Sequence, residues 1–242
     1  MRSSKYIFVF IIILSCATDD TIIAEDSLST YVTNKITEIG AVIACAGSDN
    51  ITNNILVFFY PENGALDIRL YETTDVAVNK DEFSNYDRIA INDEPFFNGY
   101  LGKFTHNSTV EKWVIVTFEL NGEIKISNPI RIKQQIKPTI WTDNVAIDQQ
   151  QSTMPIFTWE NNEFGDNAIY FQIISDAQNN FLSGTYTFEN EFQYYNISNV
   201  VLNITVDNPP NLLTDASYNF TLMDVSEDNW VNLIIQKSFT IQ

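Results

Sequence analysis

The chain has 242 residues, with 31 acidic and 13 basic side chains and a formal net charge of −18. Such a surface repels phosphate backbones, so the composition argues against a nucleic-acid-binding protein. With 45% hydrophobic and 13% aromatic residues, the sequence is not that of a disordered chain, and it has enough apolar material for one large or two ordinary domains.

The first twenty residues have the order of an export signal. Arg2 and Lys5 precede nine apolar residues at 6–14, and the small residue Ser15 and then Cys16 follow. The apolar run is too short to span a bilayer. Residues 13–16 resemble a bacterial lipobox, which implies cleavage before Cys16 and a diacylglycerol on its sulfur. We therefore expect a signal peptide at residues 1–15 and lipid attachment at Cys16; an ordinary signal peptide containing a cysteine is the alternative.

Two acidic residues, Asp19 and Asp20, lie just after the cysteine, in a polar tether at residues 16–26. They resemble the surface-export signal of lipoproteins from the Bacteroidota. The resemblance implies a protein anchored in the outer membrane and facing the cell exterior. A plain soluble tether, with the protein on the periplasmic face, is the alternative.

From residue 39 onward the pattern is typical of β-structure. Residues 27–36 are ambiguous between a strand and a short helix. Strand-like runs then cover residues 41–46, 55–60, 67–71 and 96–104, the last with glycines that indicate a bulge or a close approach. A turn is expected at residues 61–64 and a long connection at residues 75–94.

The clearest local signal is a hairpin in which residues 113–120 meet residues 123–132 across Asn121-Gly122, the dipeptide that favours a type I′ turn. We expect the face of Val114, Val116 and Phe118 to point to the core. Pro129 interrupts the second strand, which predicts an edge position or a bulge.

A polar linker ending in proline is expected at residues 133–138, and a second β series follows it at residues 156–159, 168–175, 182–188, 200–206, 218–225 and 231–241. The sequence thus predicts an all-β protein with two tandem antiparallel β-sandwiches, at residues 27–135 and 136–242. The second resembles a fibronectin type III or other immunoglobulin-like domain through Trp159, Tyr170 and Tyr218.

Little in the sequence points to catalysis. His106, the one histidine, lies in a polar stretch and is expected in a solvated loop. Cys45 has no disulfide partner if Cys16 carries lipid, and its small-residue apolar surroundings predict a buried, inert thiol. We find none of the familiar hydrolase, zinc or phosphate-binding motifs, so we expect a non-enzymatic protein without catalytic residues, cofactor or metal.

Two segments are weighed as binding sites. Residues 160–167 cluster oxygen ligands that could suit calcium, although a plain sandwich loop is the preferred interpretation. Aromatic residues at 192–195, together with Phe181, could stack on sugar rings or fill a protein interface, although core aromatics are commoner. Five N-x-S/T triplets, at Asn50, Asn107, Asn196, Asn203 and Asn219, are interpreted as coincidence.

The function expected from these features is a lipid-anchored envelope protein whose sandwiches bind a protein or glycan partner. The alternative is a structural spacer or an accessory subunit of a larger outer-membrane assembly. The identity of the partner does not follow from the sequence.

Overall fold

The computed structural model describes residues 27–151, 153–162 and 164–242. The described chain contains one short helix, α1 (Leu28–Val32), and one 3₁₀ turn (Phe83–Asn85); the rest is strands and connections. The predicted signal peptide and the tether lie outside the described residues. No described helix is long and apolar enough to cross a membrane.

We call residues 27–132 the N-terminal half. Its strands are β1 (Ile36–Val42), β2 (Ala44–Ser48), β3 (Ile55–Phe59), β4 (Leu66–Glu72), β5 (Asp87–Ile89), β6 (Glu94–Phe96), β7 (Leu101–His106), β8 (Lys112–Leu120), β9 (Glu123–Ser127) and β10 (Ile130–Ile132).

These strands form two sheets. One has the order β1-β9-β8-β4-β5, with β10 also paired to β8, and the other has the order β2-β3-β7-β6. The pairs are antiparallel except that β1 runs parallel to β9. Val57, Phe104 and Val116 come from both sheets and are fully buried in one cluster. The two sheets therefore pack face to face as a sandwich.

We call residues 139–242 the C-terminal half. Its strands are β11 (Ile140–Thr142), β12 (Ala146–Asp148), β13 (Ile156–Thr158), β14 (Asn167–Asp176), β15 (Phe181–Thr187), β16 (Glu191–Gln193), β17 (Val200–Asn203), β18 (Ser217–Ser226) and β19 (Val231–Thr240).

A six-stranded sheet of order β11-β19-β18-β14-β15-β17 faces a three-stranded sheet of order β12-β13-β16. Phe157 of the smaller sheet stacks on Phe220 of the larger one, with ring centroids 4.3 Å apart and planes 6° from parallel. The core of this half is drawn from its own strands. The predicted all-β fold with antiparallel sandwiches is confirmed.

The predicted hairpin is also confirmed, because Asn121 and Gly122 both have the positive φ that a type I′ turn needs, 54° and 82°. Pro129 lies at the break between β9 and β10, as expected. The prediction of one buried face is incomplete. Ile115, on the other face, is also fully buried because it packs in a cluster with Leu28 of α1.

Two other segments differ from the prediction. The ambiguous segment at residues 27–36 begins as a helix, since the side chain of Ser27 caps α1 by accepting a hydrogen bond from the Thr30 N–H at 3.2 Å. Residues 96–104 are not one strand: a turn in which Phe97 and Asn98 have positive φ separates β6 from β7. The expected close approach is found at Gly102, where an added Cβ would lie 2.2 Å from the ring of Phe59.

The connection between the halves, residues 133–138, is partly exposed, at Gln135, Ile136 and Pro138, but is anchored at two of its residues. Lys133 keeps only 8% of its surface accessible, and its Nζ lies 2.6 Å from the carboxylate of Asp228. The carbonyl of Lys137 accepts a hydrogen bond from the indole N–H of Trp230 at 2.8 Å. The predicted linker is therefore tied to the C-terminal half at Lys133 and at Lys137. The division at residues 27–135 and 136–242 stays a prediction.

Trp230 belongs to the C-terminal half, yet it is fully buried in the core cluster of the N-terminal half. Its backbone forms a bridge with Ala46, whose N–H donates to the carbonyl of Asn229 at 3.0 Å. A second shared cluster joins Phe58 and Leu101 of one half to Phe171 of the other. The two halves thus have an apolar interface of the kind found inside a protein core.

Candidate functional site

The candidate site residues within the described ranges can be placed, whereas Cys16 and the acidic pair Asp19 and Asp20 lie outside them. Lipid attachment at Cys16 therefore stays a prediction. Asn203 and Asn219 of the N-x-S/T triplets lie in β17 and β18, as expected.

The sequence predicts that His106 lies in a solvated loop. That prediction is wrong, because His106 is the last residue of β7. Its Nε2 lies 2.9 Å from Oε2 of Glu72, and Nζ of Lys112 lies 3.0 Å from the same oxygen. Burial raises the pKa of Glu72, but the hydrogen bonds and charges of these two partners outweigh burial and hold the pKa below its usual range. The contact therefore ties β7 to the neighbouring sheet.

Cys45 is half-buried, so the prediction of a buried thiol is only partly right. It lines a cleft between the two halves, close to Phe58, Phe171 and Tyr186. The protein that surrounds the cleft desolvates the sulfur and raises its pKa to about 12. The thiol is consequently protonated at neutral pH and is a weak nucleophile.

Some side chains of the loop at residues 160–167 bind other parts of the fold. Nδ2 of Asn162 donates to the buried carboxylate of Asp224 at 2.6 Å, and Asp166 accepts from Nζ of Lys137 at 2.6 Å. Burial raises the pKa of Asp224, whereas lysine contacts outweigh burial at Asp166 and lower its pKa. Among the described residues, no group of three or more histidine, cysteine or acidic side chains is placed to hold a metal ion.

The aromatic residues divide into buried and exposed. Phe192 and Tyr194 are buried in the core of the C-terminal half, and Phe181 stacks on Tyr100 across the interface with ring centroids 3.6 Å apart. The commoner explanation, that these are core aromatics, therefore fits Phe192 and Tyr194. Tyr195 is the member of this group that keeps a large exposed surface, 46% of its total.

Tyr195 stands at the wall of a pocket of about 280 Å³. The pocket combines the exposed ring of Tyr195 and the buried residue Phe192 with small polar groups: hydroxyls of Ser183 and Thr205, amides of Asn203 and Asn208, and the carboxylate of Asp207. Within the described residues, the side chains of Ser183, Asp207 and Asn208 make no hydrogen bond. These groups are therefore free to bind a ligand or water.

The backbone at Tyr195 is strained, with a φ of +70°. A left-handed conformation costs a bulky residue roughly 1–2 kcal/mol. The preceding residue, Tyr194, is fully buried, and its hydroxyl donates to the carbonyl of Pro210 at 2.6 Å. The exposed ring is thus held by a rigid neighbour at some cost in stability.

Sequence reasoning singled out Tyr195 and Phe192 as aromatic candidates and Asn196 and Asn203 as triplet positions, but it did not bring them together or find the other residues of the pocket. Ser183 comes from β15, Asn203 from β17, and Asp207 and Asn208 from the segment that follows β17. Only the pairing of β15 with β17 brings these segments together. No local motif marks Ser183, Asp207 or Asn208 as pocket residues.

Comparisons with known proteins give the fold a general context. No protein-family model matches the chain, and no curated protein gives a significant match. The chain is similar to the solved FN1-FN3 domains of chicken CNTN1, with 10% identity and a TM-score of 0.30, covering 86% of this chain and 68% of that one.

It is also similar to the fibronectin(III)-like modules of Clostridium thermocellum CbhA, with 11% identity and a TM-score of 0.24, covering 83% of this chain and 94% of that one. At these scores the likeness carries no assignment of function. The all-β fold rests on the strands themselves, and the finer resemblance to a fibronectin type III domain stays a prediction.

Proposed function

We propose that the chain is a non-enzymatic, lipid-anchored protein of a bacterial outer membrane, facing the cell exterior, whose C-terminal half binds the sugar ring of a glycan. The observation that carries the binding proposal is the pocket beside Tyr195, where an exposed ring held in a strained conformation adjoins polar groups without hydrogen-bond partners. The anchor and the location rest on the order of residues around Cys16.

A sugar ring fits this pocket better than a protein surface does. Its apolar face can pack on the ring of Tyr195, and its hydroxyls can bond to an amide such as Asn208 and to the carboxylate of Asp207. The pocket is small and concave, as small-ligand sites are, whereas protein interfaces are broad. A neutral ligand also suits a chain with a net charge of −18, which would repel an anionic one.

Replacing Tyr195 should separate binding from stability. Tyr195→Gly removes the ring, so we expect at least about a tenfold loss of affinity, the value of one aromatic contact. The same change relieves the positive φ, so we expect no fall in Tm. Tyr195→Phe, which keeps the ring, should retain most of the affinity. A glycan array identifies the ligand, and calorimetry on the variants measures these effects.

Phe188→Ala is the matched control, because Phe188 is a comparably exposed aromatic residue, at 62%, and does not line the pocket. Binding should be unchanged in this variant. Equal losses in the Phe188 and Tyr195 variants, or a glycan bound equally well without the Tyr195 ring, would contradict the proposed site. If no glycan on the array binds the unmodified chain, the spacer alternative gains support.

The anchor has its own test. Cys16→Ala should abolish incorporation of labelled fatty acid and move the protein from the membrane fraction to the soluble fraction, because several acyl chains hold a protein firmly at about 0.8 kcal/mol per buried CH₂. Cys45→Ala, the control, should leave both properties unchanged. A Cys16 variant that stays in the membrane with unchanged mobility would disprove lipidation.

A further inference from the structure

The cleft between the two halves is a second concave site, and it differs in chemistry from the pocket beside Tyr195. It encloses about 230 Å³ and is lined mainly by apolar side chains from both halves, among them Phe58, Phe171 and Met223. Apolar cavities of about 150 Å³ in other proteins stay free of water and bind molecules of the size of benzene. This cleft has room for a somewhat larger molecule.

Tyr186 supplies one polar group in the wall of the cleft. The residue is 8% exposed, its ring stacks on Phe171 with centroids 4.3 Å apart, and among the described residues its hydroxyl has no hydrogen-bond partner. Burial raises its pKa well above the ordinary value, so the hydroxyl stays protonated at neutral pH. The oxygen of this hydroxyl keeps some accessible surface although the ring is buried, so a ligand bound in the cleft can supply its acceptor.

The charge of the lining restricts the ligand further. Among the described residues that line the cleft there is no lysine, arginine or histidine, and the protonated thiol of Cys45 is uncharged. A carboxylate buried there would have no cationic partner and would pay a large desolvation cost. Anionic ligands such as free fatty acids are thus disfavoured.

The cleft is not sealed. Ile43, Tyr60 and Leu202 line both the cleft and an adjoining open groove. A ligand can therefore enter from the groove without separation of the two halves.

From these observations we infer that the cleft binds a small, neutral, mainly apolar molecule carrying one hydrogen-bond acceptor, which Tyr186 recognises. The inference does not depend on the proposed glycan site. The two sites share no lining residue, so either can fail alone.

Acetophenone, ethylbenzene and benzoate form a matched set of probes: an aromatic ring with a neutral acceptor, one without an acceptor, and one with a negative charge. In the full chain carrying Cys16→Ser, Cys45 is the only thiol, so its rate of labelling by iodoacetamide at mildly alkaline pH, where more of this weakly nucleophilic thiol is ionised, reports occupancy of the cleft. Acetophenone should slow the labelling at the lowest concentration, ethylbenzene at a higher one, and benzoate should have no effect at the same concentrations.

Tyr186→Phe should weaken protection by acetophenone about 2- to 10-fold, the value of one hydrogen bond, and leave ethylbenzene unchanged. Ala44→Leu, which fills the cleft, should abolish protection by both. The three probes are first compared on the chain that keeps Tyr186 and Ala44. The test therefore stands even if one of these two variants fails to fold. No protection by acetophenone, or equal protection by benzoate, would overturn the inference.

Discussion

Trp230→Ala is expected to lower the free energy of unfolding by about 3–5 kcal/mol, the usual cost of removing a large buried aromatic side chain. The indole is completely buried among side chains of the N-terminal half, and its N–H donates to the carbonyl of Lys137. Its loss leaves a cavity and an unpaired carbonyl in the same place. Denaturant unfolding followed by circular dichroism measures the change.

Phe188→Ala is again the control, since an exposed aromatic residue should change the free energy of unfolding by no more than about 0.5 kcal/mol. Trp230→Phe should have an intermediate effect, because it keeps a ring and loses the hydrogen bond. A loss below about 1 kcal/mol for Trp230→Ala would mean that the tryptophan does not hold the halves together as described.

The fragment 140–242 is expected to fold alone but to be much less stable than the chain with both halves. Its own core, including Phe157, Phe220 and Ile235, is drawn entirely from this fragment. Separation, however, exposes Phe171 and Met223, which the N-terminal half covers. Since about 1 kcal/mol shifts the Tm of a domain of this size by roughly 4–8 °C, a fall of well over 10 °C should be visible.

The measurements are thermal unfolding, amide dispersion and binding of a hydrophobic dye, with the chain containing both halves as reference. A cooperative transition, dispersed resonances and increased dye binding are the expected results. A fragment without dispersed resonances would show that residues 140–242 lack a self-sufficient core. A fragment with an unchanged Tm would show that the interface contributes nothing to stability.

The features that the sequence predicts correctly are those decided by residues adjacent in the chain. The hairpin follows from Asn121-Gly122 because the turn type is decided within two residues. The turn that separates β6 from β7 contains the same dipeptide, Asn98-Gly99, with φ of 51° and 90°, so its signal is local as well. Only Phe97, with φ of 47°, takes a conformation that a bulky residue rarely adopts, and the apolar residues around the dipeptide make the segment read as one strand.

The candidate site shows more strongly that contacts between distant segments cannot be predicted from local sequence. Tyr195 could be suspected from an aromatic run, but only the fold distinguishes it from the buried Tyr194. Ser183 and Asp207 belong to the pocket through strand pairing, and such pairing leaves no trace in either segment alone. The linker has the polar composition of an exposed connection. That composition gives no sign of the buried contact between Lys133 and Asp228.

The position of Trp230 also bears on the order in which the protein is completed during synthesis. Domains of a growing chain generally fold from the N-terminus onward. Here the strands up to β10 emerge first, yet the tryptophan that fills their core follows β18 and comes late in the chain. Contacts between distant parts of a chain form slowly because the closure of a long loop costs entropy. The half that is synthesised first therefore has its core completed only when almost the whole polypeptide has been made.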